Sequence, residues 1–129
     1  MNWRRLVTFV LVFFVATAAA AFPFGFIRGF SLARHQAPPS WLPIGQAIAV
    51  MTAGVLVMAL LVRRQSTRPW THAGFMGLSA GILSYPINVL WLGVPVSVWL
   101  GSLLAICVMI VLGVPLGLLF RPDKSGTIL

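Results

Sequence analysis

Between Leu6 and Phe120, charge interrupts the sequence in only two places, Arg28 to Arg34 and Arg63 to Arg68. A third break, Leu92-Gly93-Val94-Pro95, carries no charge at all. The breaks leave four continuously apolar runs, at about 6–27, 42–62, 71–92 and 96–120. Runs of roughly 20 to 25 residues are long enough, as helices, to cross a hydrocarbon core ~30 Å thick. Inside that core a backbone must satisfy its own hydrogen bonds, which restricts it to helices or a closed barrel. Barrel strands alternate apolar and polar residues; these runs do not. The expected fold is an all-α membrane protein, with residues 1–129 as one domain of four transmembrane helices in an up-down four-helix bundle.

Composition closes off the soluble alternatives. Charged residues make up 8% of the chain and its mean hydropathy is +1.01, whereas soluble domains carry about 25% charged residues. The net charge of +8 invites a nucleic-acid reading, but the nine basic residues sit at the ends of apolar runs. Phosphate recognition needs a clustered basic stripe, so no nucleic-acid partner is expected. Membrane lipids are the expected contacts. Arg63, Arg64 and Arg68 lie where anionic headgroups would meet them, each contributing about 1 kcal/mol.

Orientation follows from the basic residues. With four spans, Arg4, Arg5, Arg63, Arg64, Arg68, Arg121 and Lys124 share one side, and Arg28 and Arg34 lie on the other. That bias predicts cytoplasmic N- and C-termini, in a bacterial inner membrane. Tryptophan agrees: Trp3 and Trp70 fall at the inner boundary, and Trp41, Trp91 and Trp99 at the outer one. The charged start and the alanines from Ala16 to Ala21 also describe a signal peptide. Because the apolar run continues through Phe22, Phe24, Phe26 and Ile27, it is read as a retained first span.

Within the spans, small residues recur every fourth position. Thr17, Ala21 and Gly25 do so in the first and Gly45, Ala49 and Ala53 in the second. Ala73, Gly77 and Gly81 do so in the third, and Ser97, Gly101 and Ala105 in the fourth, where Gly113 and Gly117 resume the face. In lipid, helices associate where small residues let them approach. Gly77, Gly81, Gly101 and Ala105 are therefore the expected packing residues, and the hairpin of the last two spans the expected organiser. Pro23 is expected to kink the first span, a short interfacial helix to occupy 26–33, and Thr71 to cap the third span. The tail after Lys124 is expected to fray.

One internal similarity stands out. Residues 41–51 and 99–109 align without gaps, and Trp, Leu, Ala, Ile, Val and Met coincide. Phe22-Pro23 and Tyr85-Pro86 precede the two segments. The pattern fits two tandem hairpin repeats.

Reactive groups are scarce. Asp123 is the sole acidic residue, so paired-carboxylate catalysis and an intramembrane proton relay lack their usual groups. His35 and His72 fall on opposite sides of the membrane, so no metal site is expected, nor any cofactor. Cys107 is the only cysteine, and neither it nor Ser84 has a base within a turn. What remains is Ser84, Tyr85 and Asn88 around Pro86. They read either as interhelix contacts or as a small polar pocket beside a broken helix.

Two functions are consistent with this inventory. The first is a non-enzymatic accessory, assembly or scaffold subunit, as a homo-oligomer or with a partner membrane protein. The second is a small transporter or channel for an apolar or cationic solute, using the region of Ser84 and Asn88. They differ in one observable. A transporter should hold a cavity that reaches Asn88, and a scaffold should bury Asn88 against another helix.

Overall fold

A computed structural model describes residues 3–64 and 68–121. Helix α1 spans Trp3–Ala33, α2 Leu42–Arg64, α3 Pro69–Tyr85 and α4 Val96–Leu119, and a π-helical turn, Pro86–Trp91, prolongs α3. Among the described residues, these four helices are long and apolar enough to cross a membrane, the third with its π turn included. The chain is an all-α four-helix bundle and reads as an integral membrane protein.

Boundaries differ from expectation at three places, each for a local reason. Helix α1 continues through Pro23 to Ala33 as one 31-residue element, so 26–33 is not a separate interfacial helix. Pro23 removes one backbone donor, but Phe26 stacks on Phe30 one turn later and the Arg34 guanidinium lies over the Phe30 ring. The helix then closes in a Schellman turn: Gln36 N–H donates to the Ser31 carbonyl and His35 N–H to that of Leu32, with His35 at a positive φ of 55°.

Thr71 is not the cap of α3. The helix begins at Pro69, behind Arg68 in the left-handed region, and no side chain caps it. Proline suits the first helical position because the N–H it lacks would be unpaired there anyway. At the other end of α3, Pro86 does not break the helix but widens it. Leu92 N–H reaches back five residues to the Ile87 carbonyl at 3.0 Å. Asp123, Lys124 and the tail lie outside the described residues.

The helices are arranged in the order α1, α2, α4, α3, with α3 returning to α1. Sequential α2 and α3 touch less than either touches α4. The closest approach therefore lies between α2 and α4, not within the α3–α4 hairpin. A methyl group built on Gly113 would sit 2.9 Å from the Val55 carbonyl oxygen, and one on Gly117 would sit 2.5 Å from that of Ala59. Gly54 in turn faces Met109. The paired numbers rise together, so α2 and α4 run parallel.

Gly77 and Gly81 play a different part. Both are buried, but they receive side chains instead of backbone: Ile106 and Ile110 fill the space over Gly77, and Leu103 that over Gly81. Gly101 is exposed and a methyl there would meet nothing within 4 Å. Among the described residues nothing packs on it, because Gly101 lies on the side of α4 turned away from Tyr85 and the cavity. The two hairpins share one detail. Trp41 stands edge-on to Phe24 of α1, and Trp99 stands edge-on to Tyr85 of α3.

The packed core occupies only the half of the bundle nearer the chain ends. It joins Leu6, Phe9, Val10 and Phe13 of α1, Val57, Met58, Leu61 and Val62 of α2, Ala73, Met76 and Ala80 of α3, and Met109 and Val114 of α4. Met58 and Met76 are fully buried there, filling irregular space as methionine does well.

Candidate functional site

The other half of the bundle is less tightly packed and holds an open pocket. A cavity of about 470 Å³ lies where all four helices converge. Helix α1 supplies Phe13, Phe14, Thr17, Ala18 and Ala21, and α2 supplies Gln46 and Val50. Ala80, Ser84 and Asn88 line it from α3 and the π turn, and Ser102, Ala105, Ile106 and Met109 from α4. Its volume falls in the range of small-molecule sites, about 300–1,000 Å³. Toward the chain ends it is shut off by the core of Met58, Met76 and Val114, all fully buried.

The polar groups on its wall fall into two sets. The hydroxyls are held by the helices themselves. Thr17 Oγ1 donates to the Phe13 carbonyl at 2.7 Å. Ser84 Oγ donates to the Gly81 carbonyl at 2.8 Å and accepts from Trp99 Nε1 at 3.1 Å. Ser102 Oγ donates to the Trp99 carbonyl at 2.6 Å. Gln46 and Asn88 are half-buried, and their carboxamides have no hydrogen bond to any described residue. Each carries two donors and two acceptor lone pairs. They are the wall side chains with donors to spare.

The π turn brings Asn88 to this wall. Proline at 86 leaves the Ile82 carbonyl without its usual donor, and the wider turn that follows changes the side-chain register. The Asn88 carbonyl is held by Val94 N–H at 2.8 Å, which ties the turn to the loop before α4. Such single π turns recur at functional sites.

Of the residues singled out from sequence, Ser84 and Asn88 meet in the cavity and Tyr85 does not line it. The Tyr85 ring packs on Trp99, with centroids 5.0 Å apart. Ala105 also lines the cavity, where a helix contact was expected. Gln46 is the residue that sequence reading missed. Its signal was present: apart from Asn88, it is the only carboxamide inside a span.

At the opposite end, Arg63 and Arg64 are exposed on the last turn of α2, and Arg68 precedes α3. Arg121 Nη2 donates to the Val62 carbonyl at 3.3 Å, closing the end of α2. His35 lies in the α1–α2 loop and His72 in the first turn of α3, at opposite ends of the bundle. Cys107 is exposed.

Compared with protein-family models, with curated proteins and with solved structures, the chain gives no match.

Proposed function

We propose that this chain is a non-enzymatic carrier that binds a small, largely apolar solute between its four helices. The unpartnered amides of Gln46 and Asn88, in a cavity whose hydroxyl groups already donate to helix carbonyls, carry this reading. They would orient a solute by hydrogen bonds while Phe13, Phe14 and Met109 contact its body. The packed core below the cavity favours a carrier over an open channel, since nothing passes without repacking Met58 and Met76. A bacterial inner membrane with cytoplasmic termini fits the distribution of arginine.

Asn88→Leu tests the reading. The expected result is thermal stability in detergent within about 1 kcal/mol of the parent, because the amide gives up no protein partner. Affinity for an amphipathic probe such as phenylbutanol should fall about fivefold, the loss of one hydrogen bond. A fall in stability with probe binding intact would make Asn88 an interhelix contact and remove the main support for the carrier.

Orientation has its own test. In a Cys107→Ala background, Gln36→Cys should react with an impermeant maleimide added to intact cells, and Ser66→Cys only after permeabilisation. Reaction of both in intact cells would refute cytoplasmic termini.

An assembly role is the second reading, and the outward face of Ser97 and Gly101 favours it. Both are exposed, at the four-residue spacing that lets helices of two subunits approach. Gly101→Leu should then convert a native oligomer to monomer in mild detergent without unfolding it. A parent that is already monomeric in lipid nanodiscs would exclude this reading.

A further inference from the structure

We infer that the solute is an amphipathic anion, which enters from the α1–α2 loop end with its charged group on Arg28. This rests on the cavity being a solute site and adds the chemical class of what fills it. A second, smaller cavity of about 260 Å³ lies at that end of the bundle, lined by Arg28, Pro38, Pro39, Ser40, Leu42, Pro43 and Gln46. Gln46 belongs to the walls of both cavities. Gln46 therefore stands where the outer vestibule meets the inner chamber.

Helix α1 gives the depth of the path. Ala21 on the chamber wall and Arg28 on the vestibule wall are seven residues apart, two turns of one face, or about 10 Å along the axis. A molecule of that length would place its head at Arg28, pass Gln46, and rest its far end at Ala21, at the entrance to the chamber whose deeper wall carries Phe13, Phe14 and Ala18.

Charge selects the head. Arg28 makes no hydrogen bond or ion pair with any described residue, while Arg34, the other arginine at this end, lies over the Phe30 ring. Asp123, the chain's one acidic residue, lies outside the described residues, and among the described residues no carboxylate lines the vestibule or the chamber to hold a cation. A guanidinium at the mouth of a low-dielectric pocket attracts a carboxylate or phosphate and repels an ammonium group. The cationic solutes admitted by sequence alone are thereby disfavoured.

Three probes with one body and different heads test this: phenylbutyrate, phenylbutanol and phenylbutylamine. Binding is measured on the full chain in phosphatidylcholine nanodiscs, with empty nanodiscs subtracted. Phenylbutyrate should bind about tenfold more tightly than phenylbutanol, and phenylbutylamine more weakly than either. Arg28→Gln should erase the advantage of phenylbutyrate and leave phenylbutanol unchanged, which also shows that the variant is folded. Arg28→Glu should reverse the order in favour of the amine. Equal affinity for all three probes, or no effect of either Arg28 variant, overturns the anion inference and leaves the solute site standing. Absence of binding by every probe overturns both.

Discussion

Gly117→Leu and Gly113→Leu should each prevent the bundle from assembling. A methyl at Gly117 would already lie 2.5 Å from the Ala59 carbonyl oxygen and 2.8 Å from the Val62 Cβ. These neighbours are backbone and branch-point atoms, which cannot swing aside as a side-chain tip can. Overpacking a core typically costs about 1–3 kcal/mol where neighbours can yield. Here they cannot without parting α2 from α4, so the cost should be at or above the top of that range. Gly77→Leu is the informative contrast. Its nearest neighbour is the Ile110 tip, with the Ile106 Cγ2 methyl beside it, and a shift of the Ile110 rotamer relieves part of the clash. The expected order of destabilisation is therefore Gly117 and Gly113 first, then Gly77 and Gly81, with Gly74→Leu silent because nothing lies within 4 Å of it. Unfolding in detergent, followed by tryptophan fluorescence, ranks the series. Equal loss at Gly77 and Gly117 would contradict the α2–α4 contact as the closest in the bundle.

Ala105→Phe should abolish solute binding and leave the fold intact. In a close-packed core such a change forces neighbours apart at a cost of about 1–3 kcal/mol. At position 105 the added ring enters a cavity of about 470 Å³, where Phe13 and Phe14 line the α1 wall and Met109 lies one turn along its own helix. New dispersion contacts offset the entropy of ordering the ring, so stability should stay within about 1 kcal/mol of the parent. Phenylbutanol affinity should drop by more than about tenfold, because ring and probe compete for one space. A destabilised variant would mean that the chamber is filled by side-chain motion in the membrane. A stable variant that still binds the probe would place the solute elsewhere. Asn88→Leu removes one polar contact, whereas Ala105→Phe removes the room itself.

The spans were legible from sequence because their cause is local: length, continuous apolarity and the arginines and prolines that end them act within one segment. The candidate site was legible only in part. Ser84 and Asn88 are conspicuous as polar residues beside a proline in an apolar run. Gln46 lies 42 positions from Asn88, and only the packing of α1, α2, α3 and α4 puts both on one wall. Local signals also misplaced Thr71, since a hydroxyl cap competes with a proline that starts the helix two residues earlier.

Glycine spacing shows most clearly what a sequence alone can decide. It determined that these helices carry small faces, because a residue's size and its place on a helix are fixed along the chain. It could not determine what each face meets. The α3 face at Gly77 and Gly81, the α4 face at Gly113 and Gly117, and Gly101 share one pattern, yet the first receives isoleucine and leucine, the second a backbone, and the third nothing. Only tertiary structure decided between them, through the order α1, α2, α4, α3 around the bundle. That order also decided where the core closes and where it stays open. Large side chains converge among Met58, Met76, Leu61 and Val114 and fill the space. Alanines and serines converge between Ala18 and Ser102 and leave a chamber that two free amides line.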